Sequence, residues 1–211
     1  MGAMRLSRDG RTLVQSNALV EQRGLVWVWR RLEGTDDDDW RLLGSPFKGV
    51  HLGARQIAVV DISDDGNVVA IFVEQFDGNN AVFVYEFIPG DFQQEKSNDL
   101  VHIPGRWSPR GDPLNVSNPQ GCLGANGNIV VTSGMDGSEV FQYDTKHGSW
   151  AQVGPIEQIK NFHGGFYRPK ITCAADGRTF ATAIGGGKYS NPLSPDESRV
   201  GTVTLWEAEE Q

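Results

Sequence analysis

The sequence predicts an all-β protein, and more narrowly a β-propeller of about four blades. One pattern occurs four times: an apolar strand, a tight turn ending in glycine, a second apolar strand, a loop, and a third strand ending on an aromatic residue. The turn residues Asp9, Asp65, Asn126 and Asp176 lie 50 to 61 residues apart. Alternating strands that recur at this spacing are typical of propeller blades, and no long helical periodicity competes with them. The repeats lie near residues 5–55, 57–112, 115–165 and 168–211.

The second repeat shows the pattern most clearly. An apolar strand at 57–62 is followed by the turn Asp65-Gly66, a second strand at 68–71 and a third at 81–85. An Asp-Gly pair between two apolar runs predicts a hairpin, because glycine accepts the positive φ that a tight turn requires. The same reasoning predicts a hairpin in each of the other repeats.

Aromatic residues recur at two places in the predicted blades. The third strands end on an aromatic side chain, which we expect to be equivalent and mostly buried between neighbouring blades: Trp29, Tyr85, Tyr143 and Trp206. Fourth strands beginning at Trp40 and Trp150 share the spacing W-x-x-x-G and form a second, more peripheral class. In the second repeat we place the fourth strand around 92–94, followed by a long polar connection at 96–117.

The domain organisation follows from these repeats. We expect residues 1–211 to form a single propeller-like domain in which the last repeat has three strands. Two alternatives remain: the four blades close a small ring, in which the last blade has three strands or borrows residues 1–5, or the chain is an excerpt of a larger propeller. An unpaired strand edge in the last blade also predicts self-association, because exposed edges pair readily.

The repeats resemble those of WD40-like and FG-GAP-like β-propeller proteins. The resemblance is to the general pattern L-S-x-D-G-x-x-[LV] followed by G-x-V-x-V-[WY], and it covers nearly the whole chain. The chain departs from WD40 repeats in lacking the Gly-His start and Trp-Asp end, and from FG-GAP repeats in lacking the calcium-binding carboxylates. The resemblance therefore implies a fold and no activity.

Composition limits the classes of partner and compartment. The formal net charge of −8 argues against nucleic-acid binding, which normally uses a basic face. No apolar run is long enough to span a bilayer, and the first residues lack the apolar core of a signal peptide, so we expect no membrane partner and slightly favour the cytoplasm. Cys122 and Cys173 are interpreted as small buried thiols; a disulfide between them is the less favoured alternative.

The loops opposite the Asp-Gly turns are the predicted recognition surface. They vary widely in length, whereas the turns are short and uniform, and long varied loops on a rigid scaffold usually carry function. Aromatic and cationic side chains in these loops suit protein or glycan surfaces. The predicted ligand-binding residues are Arg106, Trp107, Arg110, His163, Phe166, Tyr167, Lys188 and Tyr189.

No motif predicts catalysis, a cofactor or a metal. The four histidines show no paired ligand spacing, the acidic run 36–39 is interpreted as a solvated loop, and Asp61, Ser63 and Asp65 only imitate the opening of a calcium loop. We therefore predict a non-catalytic module that binds a protein or another macromolecule. The alternative is a glycan-binding or glycan-active propeller that uses Trp107, Tyr167 or Tyr189 as a sugar platform.

Overall fold

The computed structural model describes residues 2–17, 24–31, 40–75, 79–90, 92–94, 100–102, 105–134, 137–153, 170–174, 179–184 and 202–207. For 92–94, 100–102, 134, 137, 170, 182, 184 and 202–207 it describes the backbone only. The described backbone is organised as nineteen strands and one short 3₁₀ helix at Gly49–Leu52. None of the helical structure in these ranges is long and apolar enough to cross a membrane.

All but two of the strands form four antiparallel sheets in chain order, which we call blades 1 to 4. Blade 1 contains β1 Met4–Leu6, β2 Thr12–Asn17, β3 Leu25–Arg31, β4 Trp40–Leu42 and β5 Phe47–Lys48. Blade 2 contains β6 Ala54–Ile62, β7 Val68–Gln75, β8 Asn80–Ile88, β11 Arg106–Pro109 and β12 Leu114–Val116. Blade 3 contains β13 Gly121–Leu123, β14 Ile129–Gly134, β15 Gly137–Asp144 and β16 Ser149–Gln152. Blade 4 contains β17 Lys170–Cys173, β18 Thr179–Ile184 and β19 Thr202–Glu207, and a separate hairpin pairs β9 Phe92–Gln94 with β10 Leu100–His102.

Neighbouring blades pack face to face, which confirms the predicted β-propeller. In blades 2 to 4 we call the side that faces the preceding blade the front face, and the opposite side the back face. In blade 1 the same names are used for the equivalent sides of the sheet. Val14 and Val28 on the back of blade 1 share one apolar cluster with Val60 and Val69 on the front of blade 2. A second cluster joins blades 2 and 3, and a third joins blades 3 and 4. The core is therefore divided into layers between blades, and each layer depends on two sheets.

The predicted turns are confirmed in the first three blades, and the first two use the same side-chain hydrogen bonds. The Ser63 hydroxyl donates to Asp65 Oδ1 at 2.6 Å, and the Val68 N–H donates to the Ser63 hydroxyl at 2.9 Å. Gly66 follows with a φ of 71°. Ser7 and Asp9 repeat the first of these bonds at 2.6 Å. The resemblance of this stretch to a calcium loop thus reflects turn chemistry.

The fourth strand of blade 2 is not where the sequence placed it. The strand at 92–94 pairs only with β10, and β11 occupies the outer position, with Trp107 opposite Phe87. Trp40 lies opposite Arg31 and Trp150 opposite Tyr143, so the three tryptophans take equivalent positions in the outer strands. The prediction failed because the β9–β10 hairpin is inserted between the third and fourth strands, which separates W-x-x-x-G from its repeat.

The predicted equivalence of the third-strand aromatics is correct for three of four residues. Trp29 lies opposite Leu13, Tyr85 opposite Val69 and Trp206 opposite Phe180, each one residue past the start of the second strand. In blade 3 that place belongs to Phe141, which pairs with Val130, and Tyr143 lies two residues further along. Trp29, Tyr85 and Tyr143 are partly buried, and the side chain of Trp206 lies outside the described residues.

The interpretation of the cysteines as separate thiols is wrong. Cys122 of β13 and Cys173 of β17 form a disulfide, with Cα atoms 5.7 Å apart and a separation of 51 positions in sequence. The two residues lie on facing sides of the inner strands of blades 3 and 4. Sequence spacing could not show this, because the approach is created by packing between blades.

Candidate functional site

The outer edges of successive blades are joined by a repeated hydrogen bond. Trp107 Nε1 donates to the carbonyl of Leu43 at 2.7 Å, and Trp150 Nε1 donates to the carbonyl of Arg110 at 2.6 Å. Each acceptor precedes a glycine with positive φ, Gly44 or Gly111. A Cβ on either glycine would lie 2.8 Å from the indole ring, so the W-x-x-x-G spacing serves both strand geometry and contact between blades.

A cleft of about 310 Å³ opens at the outer rim between blades 1 and 2. We call it the rim cleft. Its lining residues are Ser45, Pro46, Phe47, Lys48, His51, Leu52, Tyr85, Gly105, Arg106 and Trp107. The segment after Gly44 forms one wall, and strands β8 and β11 form the other. Because both blades contribute, the cleft exists only when they are packed together.

Aromatic rings hold the walls of the rim cleft in place. The ring centroids of Phe47 and Tyr85 are 4.5 Å apart, and those of Phe47 and Trp107 are 5.8 Å apart. Phe87 also packs against Trp107, with ring centroids 5.2 Å apart. The hydrogen bond to Leu43 fixes the orientation of the indole as well. Tilted pairs at these separations are favourable, so the aromatic wall is preorganised.

The polar groups of the rim cleft are mostly basic. Lys48, His51 and Arg106 are exposed, and no Asp or Glu is among the lining residues. Burial raises the pKa of the Tyr85 hydroxyl, so this group remains protonated near neutral pH. The described residues provide no hydrogen-bond partner for that hydroxyl. The cleft can therefore donate to an anionic or carbonyl oxygen while its rings contact apolar groups.

Arg110 is not part of this arrangement, although the sequence analysis grouped it with Arg106 and Trp107. Its side chain is largely buried, and Nη1 binds Glu86 Oε2 at 2.7 Å. Its guanidinium lies 4.2 Å from the ring centroid of Tyr143 and also bonds Asn128 of blade 3. The Arg-Gly-Asp tripeptide at 110–112 is thus part of the joint between blades 2 and 3.

The remaining predicted ligand-binding residues lie outside the described part of the chain: His163, Phe166, Tyr167, Lys188 and Tyr189. Sequence reasoning missed Phe47, Lys48, His51 and Tyr85, which line the cleft beside Arg106 and Trp107. A signal was present, since Gly44-Ser45-Pro46 and Gly111-Asp112-Pro113 follow equivalent tryptophans. That repeat would have placed Trp107 on an outer strand.

A second cleft, of about 410 Å³, opens between blades 2 and 3 and is more polar. Its lining residues are Asn79, Asn80, Asn115, Val116, Ser117 and Glu139. The carboxylate of Glu139 already accepts hydrogen bonds from the Ser117 N–H at 2.8 Å, the Ser117 hydroxyl at 2.9 Å and the Thr132 hydroxyl at 2.9 Å. This carboxylate is therefore a structural acceptor.

The inner strands show no paired carboxylates in the described ranges. Asp61 accepts hydrogen bonds from the N–H of Leu123 at 2.9 Å and of Ile62 at 3.0 Å. Burial raises the pKa of Asp61, while those two donors and the nearby Arg5 oppose the rise. Asp61 thus ties blade 2 to blade 3. Within the same ranges, no three His, Cys, Asp or Glu side chains are grouped closely enough to hold a metal ion.

Comparisons with known proteins concern the fold. No protein-family model matches the chain, and no curated protein matches it significantly. Among solved structures, TolB from Acinetobacter baumannii is 13% identical with a TM-score of 0.39, and the match covers 100% of this chain and 43% of that one. The β-propeller domain of the Trilobed protease from Pyrococcus furiosus is 10% identical with a TM-score of 0.47, covering 99% and 56%. A protein from Lactobacillus plantarum is 14% identical with a TM-score of 0.40, covering 98% and 70%.

The chain spans about half the length of the first two of these structures. The similarities are to the class of β-propeller folds, and they assign neither a ligand nor an activity.

Proposed function

We propose that the chain is a non-catalytic β-propeller interaction module that binds a protein partner, with the rim cleft as one contact site. The observation that supports this is the combination of three aromatic rings with three exposed basic groups on a preorganised wall. Aromatic and arginine side chains dominate the energetics of protein interfaces. The loop face that the sequence analysis predicted as the recognition surface stays part of the proposal.

The chemistry of the rim cleft favours an acidic segment that carries an apolar or aromatic side chain. The whole chain is acidic, yet the lining residues Lys48, His51 and Arg106 make this rim locally basic. A complementary charge accelerates association and fixes the orientation of the partner. The apolar side chain would lie against Phe47 and Tyr85, and a carbonyl or carboxylate oxygen would accept from the Tyr85 hydroxyl.

A protein partner suits the described geometry better than the glycan alternative. Sugar binding by Trp107 would use the face of the indole ring, but this ring already packs against Phe47 and Phe87, with ring centroids 5.8 and 5.2 Å away. Tyr167 and Tyr189, the other two residues of the predicted platform, lie outside the described residues. A glycan array probed with the full chain tests that alternative directly.

A displayed library of random peptides, selected on the full chain, tests the proposal. Acidic peptides with an aromatic residue should be enriched, and Lys48→Glu combined with Arg106→Glu should weaken their binding at least about tenfold, because complementary charges become like charges. Arg8→Glu combined with Lys146→Glu is the charge-matched control, since both residues are exposed and lie in turns away from the cleft. Selected peptides that bind both variants equally well would contradict the proposed site.

A further inference from the structure

The front face of blade 1 is apolar and uncovered in the described structure. Cross-strand pairing puts Leu6, Leu13, Trp29 and Leu42 in one row across four strands of this face. Leu6 is 54% exposed and Leu42 is 43% exposed. Met4, on the same face, is 56% exposed. Large apolar residues exposed together on one sheet face commonly mark an interaction surface.

The equivalent row in blade 2 shows what covers such a face. Ile62 and Val69 take the places of Leu6 and Leu13, and they are 7% and 0% exposed because the back face of blade 1 packs over them. The front face of blade 3 is covered in the same way by the back face of blade 2. The complement of a front face in this molecule is therefore the back face of another blade.

At the other end of the row of blades, the back face of blade 4 is uncovered or partly covered at its described positions. Cys122 of blade 3 and Thr172 of blade 4 are equivalent, since each pairs with the third residue of the following strand, Val131 or Ala181. Cys122 is 3% exposed and Val131 is fully buried, whereas Thr172 is exposed and Ala181 is only partly buried. Blade 4 thus presents, at these positions, the surface that covers a front face elsewhere.

We propose that the front face of blade 1 binds the back face of blade 4 in a second copy of this chain. The contact reproduces the packing that joins consecutive blades within one chain, and it uses sheet faces rather than a strand edge. Two such contacts join a pair of chains head to tail in a closed, symmetric arrangement. In this contact, Leu6 of one copy lies beside Thr172 of the other copy. The two residues have the same relative position as Cys173 and Cys122 within one chain.

The mass of the full chain in solution, measured by sedimentation over a wide range of concentration, tests the association. The native protein should form a dimer, and Leu6→Asp should raise its dissociation constant at least about 100-fold, because a carboxylate would be buried against apolar side chains. Ile88→Asp and Val50→Asp are matched controls, since these residues are 42% and 44% exposed and lie away from the face. A native chain that stays monomeric, or controls that dissociate as readily as Leu6→Asp, would overturn the proposal.

An engineered cross-link identifies the surfaces. Chains carrying Leu6→Cys mixed with chains carrying Thr172→Cys should form a covalent dimer on oxidation, with the Cys122–Cys173 disulfide as the geometric template. Neither variant alone should do so. A covalent dimer of Leu6→Cys alone would instead show two front faces packed together. A cross-link within one chain carrying both changes would show a closed ring of four blades; either result rejects the head-to-tail contact.

Discussion

Blades 1 and 2 carry the same outer-strand motif, W-x-x-x-G-x-P, but place it in different surroundings. In blade 2, the indole of Trp107 bonds the carbonyl of Leu43 and contacts Phe47 and Phe87. In blade 1, no described residue accepts a hydrogen bond from the indole of Trp40, and the neighbouring Leu42 is exposed. The repeated sequence determines the position within a blade, whereas the neighbouring blade determines what that position contributes to stability.

Truncating the two tryptophans should give the largest difference between the blades. Trp107→Ala should lower the free energy of unfolding by about 3–5 kcal/mol, as expected for a large aromatic side chain in a packed interface. Trp40→Ala should cost no more than about half of that, because the described residues give its indole neither the hydrogen-bond acceptor nor the aromatic neighbours that Trp107 has. Urea unfolding followed by circular dichroism measures both.

The phenylalanine variants divide the Trp107 effect into its parts. Trp107→Phe keeps most of the packing but removes the N–H donor, and should cost about 1–3 kcal/mol because the Leu43 carbonyl loses its partner. Trp40→Phe should be nearly neutral. Equal losses at the two positions would show that the preceding blade is not the source of the difference.

The disulfide gives blade 4 an attachment that blade 1 lacks. Replacing both cysteines, Cys122→Ala with Cys173→Ala, should lower the free energy of unfolding by about 2–4 kcal/mol, because the unfolded chain is no longer constrained by a loop of this length. Hydrogen exchange should accelerate most in β17 and β18. Reduction of the native protein with a thiol should reproduce the loss; unchanged unfolding after complete reduction would contradict it.

Alanine substitutions at two turn glycines distinguish the cost of backbone strain from the cost of a steric clash between blades. Gly10 and Gly66 have φ values of 72° and 71°, but only Gly66 packs against the preceding blade, where a Cβ would collide with Thr12. Gly10→Ala should cost about 1–2 kcal/mol from backbone strain alone. Gly66→Ala should cost about 1–3 kcal/mol more from overpacking. Thermal unfolding of the two variants measures the difference, and equal melting temperatures would show that Thr12 moves aside freely.

The smallest expected effect is the contribution of Asp65, in the second of these turns, to the loss of stability at acidic pH. Burial tends to raise the pKa of Asp65, but hydrogen bonds from Ser63 and Asn67 outweigh it and lower the pKa below the ordinary value of 3.8. The stabilisation from this carboxylate is therefore present above pH 3.8 and is lost as the pH falls through the lower, folded-state pKa. Asp65→Asn should make the fall in unfolding free energy shallower below pH 3.8.

Blade 3 already shows that the amide is compatible with this turn. Asn126 stands where Asp65 stands in blade 2, and its Oδ1 accepts the N–H of Asn128 at 3.0 Å. Titrations of unfolding free energy for the native chain and Asp65→Asn should converge at low pH. Parallel curves over the whole range would remove Asp65 as the origin of the acid dependence.

The sequence by itself predicted the repeated hairpins, because a tight turn depends on residues only a few positions apart. Ser63, Asp65 and Gly66 specify their turn through contacts with each other, and the alternation along β6 and β7 places the apolar side chains. The all-β class, the blade count and the order of the blades follow from the recurrence of that unit. The third-strand aromatics were predicted correctly except in blade 3, where Phe141 and Tyr143 lie two residues apart in the same strand and the prediction chose the second of them.

The tertiary structure alone decided which repeats touch and through which atoms. The Trp107 bond to Leu43 joins residues 64 positions apart, and Cys122 meets Cys173 across 51. Such contacts depend on how two sheets pack, and an inserted hairpin such as β9–β10 changes sequence spacing without changing strand position. The rim cleft is formed by side chains from two blades, so no local pattern contains it. Arg106 and Trp107 were predicted as ligand-binding residues from the sequence, but their position beside Phe47 and Tyr85 results from packing between blades.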